Sequence, residues 1–189
     1  MASKENGSVE STVELKGEVN SIHHDGPSVF NKAGDKMYFS RNNYHESKKL
    51  NDRKGIMHVG IYSAELVNDS WKNINPSNLN SQDYIVYHPT IDEKNQKMYF
   101  SSNMPDGFGG TDIYICDMLE NGSFGVPKNL GPIVNTEGNE SFPFIHNGEN
   151  ILYFSSDGHV GMGMLDVFAT VKNEMNEYTA IVKHQNLKT

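Results

Sequence analysis

The chain of 189 residues has one cysteine, Cys116, so it can form neither an intramolecular disulfide nor a cysteine-based zinc site. Its position in the alternating run DIYICDM predicts a small buried hydrophobe, not a reactive thiol. Basic residues are few: 16 Lys and Arg stand against 24 Asp and Glu, a net charge of −8. With no basic stripe, nucleic acid is excluded as a partner. No apolar run approaches the ~18 residues of a membrane span. No charged-then-apolar N-terminus is present either, so neither a transmembrane segment nor a signal peptide is expected. An amphipathic period of 3.6 is missing as well, which argues against helices.

Catalytic and metal signatures are equally sparse. There is no G-x-S-x-G, and none of the 8 histidines falls in an H-E-x-x-H spacing, so no metal and no cofactor is expected. Asp106-Gly107-Phe108-Gly109-Gly110-Thr111-Asp112 is rich in glycine but lacks the Gly-Lys-Ser/Thr of a phosphate loop, and a strand-like run follows it. Asp112 and Asp166 are each expected to accept backbone N–H groups in a tight turn beside Gly109 and Gly110, or Gly161 and Gly163.

What the chain does have is a repeat. Lys36-Met37-Tyr38-Phe39-Ser40 returns as Lys97-Met98-Tyr99-Phe100-Ser101 and again as Ile151-Leu152-Tyr153-Phe154-Ser155. Pro27, Pro89 and Pro143 precede the three copies, at the head of a first strand that can lose an N–H there. Second aromatic runs follow at Ile61-Tyr62, Ile113-Tyr114 and Val167-Phe168, then a fourth element and an Asn-Leu pair. Leu15-Lys16-Gly17-Glu18-Val19-Asn20 matches Leu130-Gly131-Pro132-Ile133-Val134-Asn135, so the ends share one phase of the repeat. Four short strands in about 50 residues is the size of one propeller blade. The expected fold is therefore all-β: three four-stranded antiparallel meanders, an incomplete or half β-propeller. Residues 1–12 read as a flexible tail, and 13–189 as repeats at about 15–78, 79–129 and 130–187.

Through the motifs "SSDGH", "GMG" and "DIY", copies two and three resemble the TolB-type (WD-like) propeller repeat, and more narrowly the propeller region of Bacteroidetes OmpA-family envelope proteins. That resemblance implies a non-catalytic scaffold at the periplasmic face of the outer membrane, binding a protein partner or an envelope glycan. Remaining blades would come from the same longer chain or from a second copy. Copy one lacks the Gly-rich loop, has Gly60 in place of the Asp, and carries a basic insertion. Arg41, Lys48, Lys49, Arg53 and Lys54 in that insertion are the expected contacts for an acidic partner. The alternative is a propeller-type carbohydrate-active hydrolase with carboxylates at the blade mouths; Asp83, Glu137 and Glu140 occupy inter-strand connections, but nothing in the sequence pairs them.

Overall fold

The computed structural model describes residues 2–5, 8–12, 14–20, 25–42, 44–45, 48–49, 58–146, 150–173, 175, 177–179 and 181–183. Strands β1 (Ala2–Glu5) and β2 (Ser8–Thr12) pair as a two-stranded ribbon in the segment expected to be a tail. The first blade is formed by β3 (Asp25–Phe30) and β4 (Lys36–Asn42), then, after a small ribbon of β5 (Tyr44–His45) and β6 (Lys48–Lys49), by β7 (Val59–Val67) and β8 (Ser70–Pro76). The second contains β9 (Val86–Asp92), β10 (Lys97–Ser102), β11 (Asp112–Asp117) and β12 (Lys128–Asn129). The third contains β13 (Glu140–His146), β14 (Ile151–Ser156), β15 (Asp166–Val171) and β16 (Val182–Lys183). Each blade is an antiparallel meander in chain order, so the all-β propeller expectation holds. No helix long and apolar enough to cross a membrane occurs among the described residues.

Alternation along each strand sends side chains to both faces of its sheet, and those faces form the cores between blades. Tyr38 and Ile61 of the first blade meet Met98, Phe100, Tyr114 and Cys116 of the second, with Leu79 of the connecting strap wedged in. One blade on, Tyr99 and Ile113 meet Leu152, Phe154 and Phe168, with Val134 of the next strap between them. Tyr99, Phe100 and Phe154 are fully buried. Burial of each such ring contributes about 2–3 kcal/mol. The outer face of blade one (Met37, Phe39, Tyr62, Ala64, Trp71) is covered by the strap residues Leu15 and Val19. Cys116 lies in the first inter-blade core, where burial pushes its thiol pKa up to about 12.

The innermost strands β3, β9 and β13 stand side by side. Each is interrupted by a bulge at its proline. Where the sequence suggests Pro at the head of the strand, Pro89 lies inside β9, with His88 and Pro89 together opposite Phe100. Phe142 and Pro143 share the same arrangement opposite Phe154. A bulge leaves one residue out of the ladder, so the missing proline N–H costs no hydrogen bond.

Candidate functional site: the axial mouth

The bulges place non-glycine residues in left-handed backbone. His88 has φ 53° and Phe142 φ 53°, although both precede proline and carry a full side chain. Such strain persists only where surrounding contacts impose it, and it concentrates at functional sites. The contacts here run across all three blades. His88 N–H donates to Ser40 Oγ of blade one at 2.9 Å. Phe142 N–H donates to His88 Nδ1 at 3.3 Å, and the two rings stack with centroids 3.8 Å apart and 17° between planes. Tyr87 lies against the imidazole at 3.9 Å, and its hydroxyl is 3.2 Å from Ser141 Oγ. Burial lowers the His88 pKa to about 4, so the ring is neutral near pH 7 and Nδ1 is free to accept. The result is a neutral aromatic platform at the pseudo-axis, with Phe142 left 46% exposed.

Around the platform, at the end where the inner strands begin, lie the connections 81–85, 103–111, 136–139 and 157–165. These connections of blades two and three carry Asp83, Asp106, Glu137 and Asp157, all exposed, and no Lys or Arg, whereas the blade-one connection between β4 and β7 carries Lys48 and Lys49. Asp157 is fixed in place: Asn139 N–H donates to its Oδ1 at 2.6 Å and Asn139 Nδ2 to its Oδ2 at 3.0 Å. These bonds hold its carboxyl below the usual range, so it stays ionised. A side chain on Gly138 would meet Asp157 Oδ1 at 2.5 Å, which puts Asp157 against the Glu137–Asn139 segment. Glu140 has a different environment. It is fully buried at the start of β13 and accepts from Thr136 N–H at 2.8 Å, Thr136 Oγ1 at 2.6 Å and Ser156 Oγ at 2.6 Å. That carboxylate ties the third blade to its strap. At the opposite end, between blades two and three, a cleft is lined by Asp92, Lys94, Lys97 and Lys172.

The glycine loops show how the mouth is shaped. Asp112 Oδ2 accepts from Phe108 N–H at 2.6 Å and from Asn129 Nδ2 at 2.7 Å. Asp166 Oδ2 accepts from Met162 N–H at 2.5 Å and Gly163 N–H at 3.1 Å. A Cβ on Gly109 would clash with the backbone carbonyls of Thr136 and Gly138, and one on Gly110 with Asn139 Oδ1. Gly161 packs directly on the Asp166 carboxylate, whereas Gly163 has open space around it.

Of the basic residues grouped on sequence, Arg41 is the one whose side chain is described. Arg41 is not in a loop: it is a buried β4 residue, 6% exposed, whose Nε donates to Asp25 Oδ1 at 2.5 Å and whose Nη2 donates to Val19 O at 2.7 Å. Lys48 and Lys49 constitute β6, and Arg53 and Lys54 lie outside the described residues. Sequence reasoning missed the His88–Phe142 stack; two proline-preceding bulky residues at equivalent repeat positions were its only signal.

No protein-family model and no curated protein matches the chain. Among solved structures, the chain is similar to an α-L-arabinofuranosidase from Lactobacillus brevis, at 13% identity and a TM-score of 0.52, over 84% of this chain and 53% of that one. An α-L-arabinofuranosidase from Fusarium graminearum in complex with an iminosugar inhibitor aligns at 12% identity and a TM-score of 0.44, over 89% of this chain and 51% of that one. The chain thus spans about half the length of these structures. The first likeness shows the propeller fold. These findings correct three expectations: the TolB-type and OmpA-family identification, the non-catalytic envelope scaffold drawn from it, and the reading of the chain as no enzyme. A solved structure that shares the fold is an arabinofuranosidase, and no family model, of envelope proteins or otherwise, matches.

Proposed function

We propose that the chain contributes the substrate-facing mouth of a propeller glycoside hydrolase, with α-L-arabinofuranosides as the first substrate class to test. The observation that carries this reading is the composition of the mouth: four exposed carboxylates with no Lys or Arg in the same connections, beside a neutral aromatic stack. Glycoside hydrolysis needs two carboxyl groups flanking the scissile bond, one donating a proton and one acting as base or nucleophile. Asp157, ionised through its Asn139 bonds, suits the second role. Glu137, exposed on the adjoining segment, suits the first. The Phe142 ring offers an electron-rich face to the C–H groups of a sugar. The likeness to named arabinofuranosidases supports the choice of substrate.

The test is release of nitrophenol from an aryl α-L-arabinofuranoside. Turnover by the wild-type chain is expected, with kcat reduced about 100-fold or more in Asp157→Asn and in Glu137→Gln. Absence of turnover on aryl furanosides and pyranosides alike overturns the reading.

A further inference from the structure

The two inter-blade cores repeat one device. In the first, Asn80 of the strap reaches the third strand of the preceding blade: its Oδ1 accepts from Ile61 N–H at 2.8 Å and its Nδ2 donates to Ile61 O at 2.8 Å. In the second, Asn135 does the same to Ile113, at 2.8 and 3.0 Å. The clamped isoleucine and a tyrosine of the same face, Tyr38 or Tyr99, then form one wall of the core. Each junction thus consists of a tyrosine–isoleucine face, an asparagine clamp, and the next blade.

A third copy of every part exists, but the parts lie at opposite ends of the molecule. Asn20 closes the segment that matches Leu130–Asn135, and it is exposed. Behind it, the core of blade one holds Val19, Met37, Phe39 and Tyr62 and, among the described residues, none of another blade. At the far end, Val167 occupies the position of Ile61 and Ile113 in the ladder, opposite Ser155 as they are opposite Ser40 and Ser101. Ile61 and Ile113 are 0% exposed, whereas Val167 is 45% exposed. Phe144, Val171 and Val182 lie on the same face and are 54%, 42% and 38% exposed. Among the described residues no asparagine clamps Val167.

We infer that the exposed face of blade three docks onto the Leu15–Asn20 strap and blade-one face of a second copy of this chain, with Asn20 of each copy clamping Val167 of the other. Each junction joins the chains head to tail, and the two junctions, related by a twofold axis, close a six-bladed ring of two chains. Six blades fall within the range in which propellers close and lose their open sheet faces. Closure would bring β3 of each copy beside β13 of the other, giving the axial mouth a complete wall of inner strands. This assembly does not depend on the mouth's chemistry.

Sedimentation equilibrium on the full chain tests it. The expected mass is that of two copies. Val167→Asp and Asn20→Arg, both at sites exposed in the single chain, are each expected to weaken self-association at least tenfold, with circular dichroism and melting of the monomer unchanged. Mixing the two variants is expected to restore a heterodimer through the single junction intact on both sides. A wild-type monomer, a mass other than two copies, a dimer insensitive to both substitutions, or a mixture that fails to associate each overturns the proposal. Filling of the face by further blades of a longer polypeptide corresponds to the monomer outcome.

Discussion

Acidification should loosen the axial stack through one residue. His88 is half-buried between Tyr87 and Phe142, and its Nδ1 accepts the Phe142 N–H, an interaction that only the unprotonated ring can make. Its pKa falls from an ordinary 6.5 to about 4, and burial is the cause. A histidine with a depressed native pKa contributes stability that is complete above pH 6.5. As pH falls from there toward 4, the unfolded chain takes up a proton that the folded one refuses. At about 1.4 kcal/mol for each tenfold change in proton affinity, the linkage reaches about 3 kcal/mol by pH 4. This is a large part of the ~5–15 kcal/mol typical of a domain. Urea denaturation at pH 7, 6, 5 and 4 should therefore show wild type losing about 3 kcal/mol more than His88→Asn over this interval. Asparagine tolerates φ 53° and does not titrate, so carboxylate contributions are common to both proteins and cancel. Parallel pH profiles for the two proteins would refute the assignment of a neutral, desolvated His88.

Three further outcomes follow from the packing. Asn135→Ala strands both backbone groups of Ile113 in a buried setting and should destabilise the fold by about 2–4 kcal/mol in urea titration, the penalty for two unmet partners. Gly109→Ala drives a methyl into the backbone carbonyls of Thr136 and Gly138 and should lower the melting temperature by several degrees. Gly163→Ala, with nothing within 4 Å, should shift it little. Cys116, buried and with its thiol pKa pushed up to about 12, should be inert to a thiol reagent at pH 8 until denaturant is added.

The architecture was legible because its signals are local and repeated. The Tyr-Phe-Ser runs, the aromatic third strands and the intervening turns each specify a strand with little help from tertiary context, and three copies reinforce one another. Local reading failed wherever the chain meets itself at a distance. Arg41 counted as part of a basic insertion, yet its charge is neutralised by Asp25, sixteen residues earlier on a paired strand. Asn80 and Asn135 sit beside Asn-Leu and Val-Asn pairs that in the sequence only mark the phase of the repeat, and their role as clamps needs the preceding blade in place. The resemblance to an envelope-protein repeat rested on the same short motifs. Those motifs describe how any such blade turns its corners, as the Asp112 and Asp166 turn bonds illustrate, and turn chemistry does not specify a function.

The site was hidden for a related reason. Proline at three equivalent positions is visible in the sequence, but the bulge it occupies is defined only by the register of the neighbouring strand. Once the bulge exists, the residue before proline is pushed out of the ladder and toward the axis, and its identity becomes free to vary. The chain places Gly26, His88 and Phe142 at these positions. Glycine leaves space, and the other two residues, 54 apart in sequence, stack. Scaffold and specificity are thereby separated within one strand: proline and the bulge maintain the blade, while the residue before proline shapes the mouth. If that separation holds, His88→Gly together with Phe142→Gly should relieve the left-handed strain and leave the three sheets intact by circular dichroism. It should also remove the surface on which a sugar would rest. A raised KM with kcat nearly unchanged would identify the stack as a binding platform, whereas loss of the folded state would show that the stack holds the blades together.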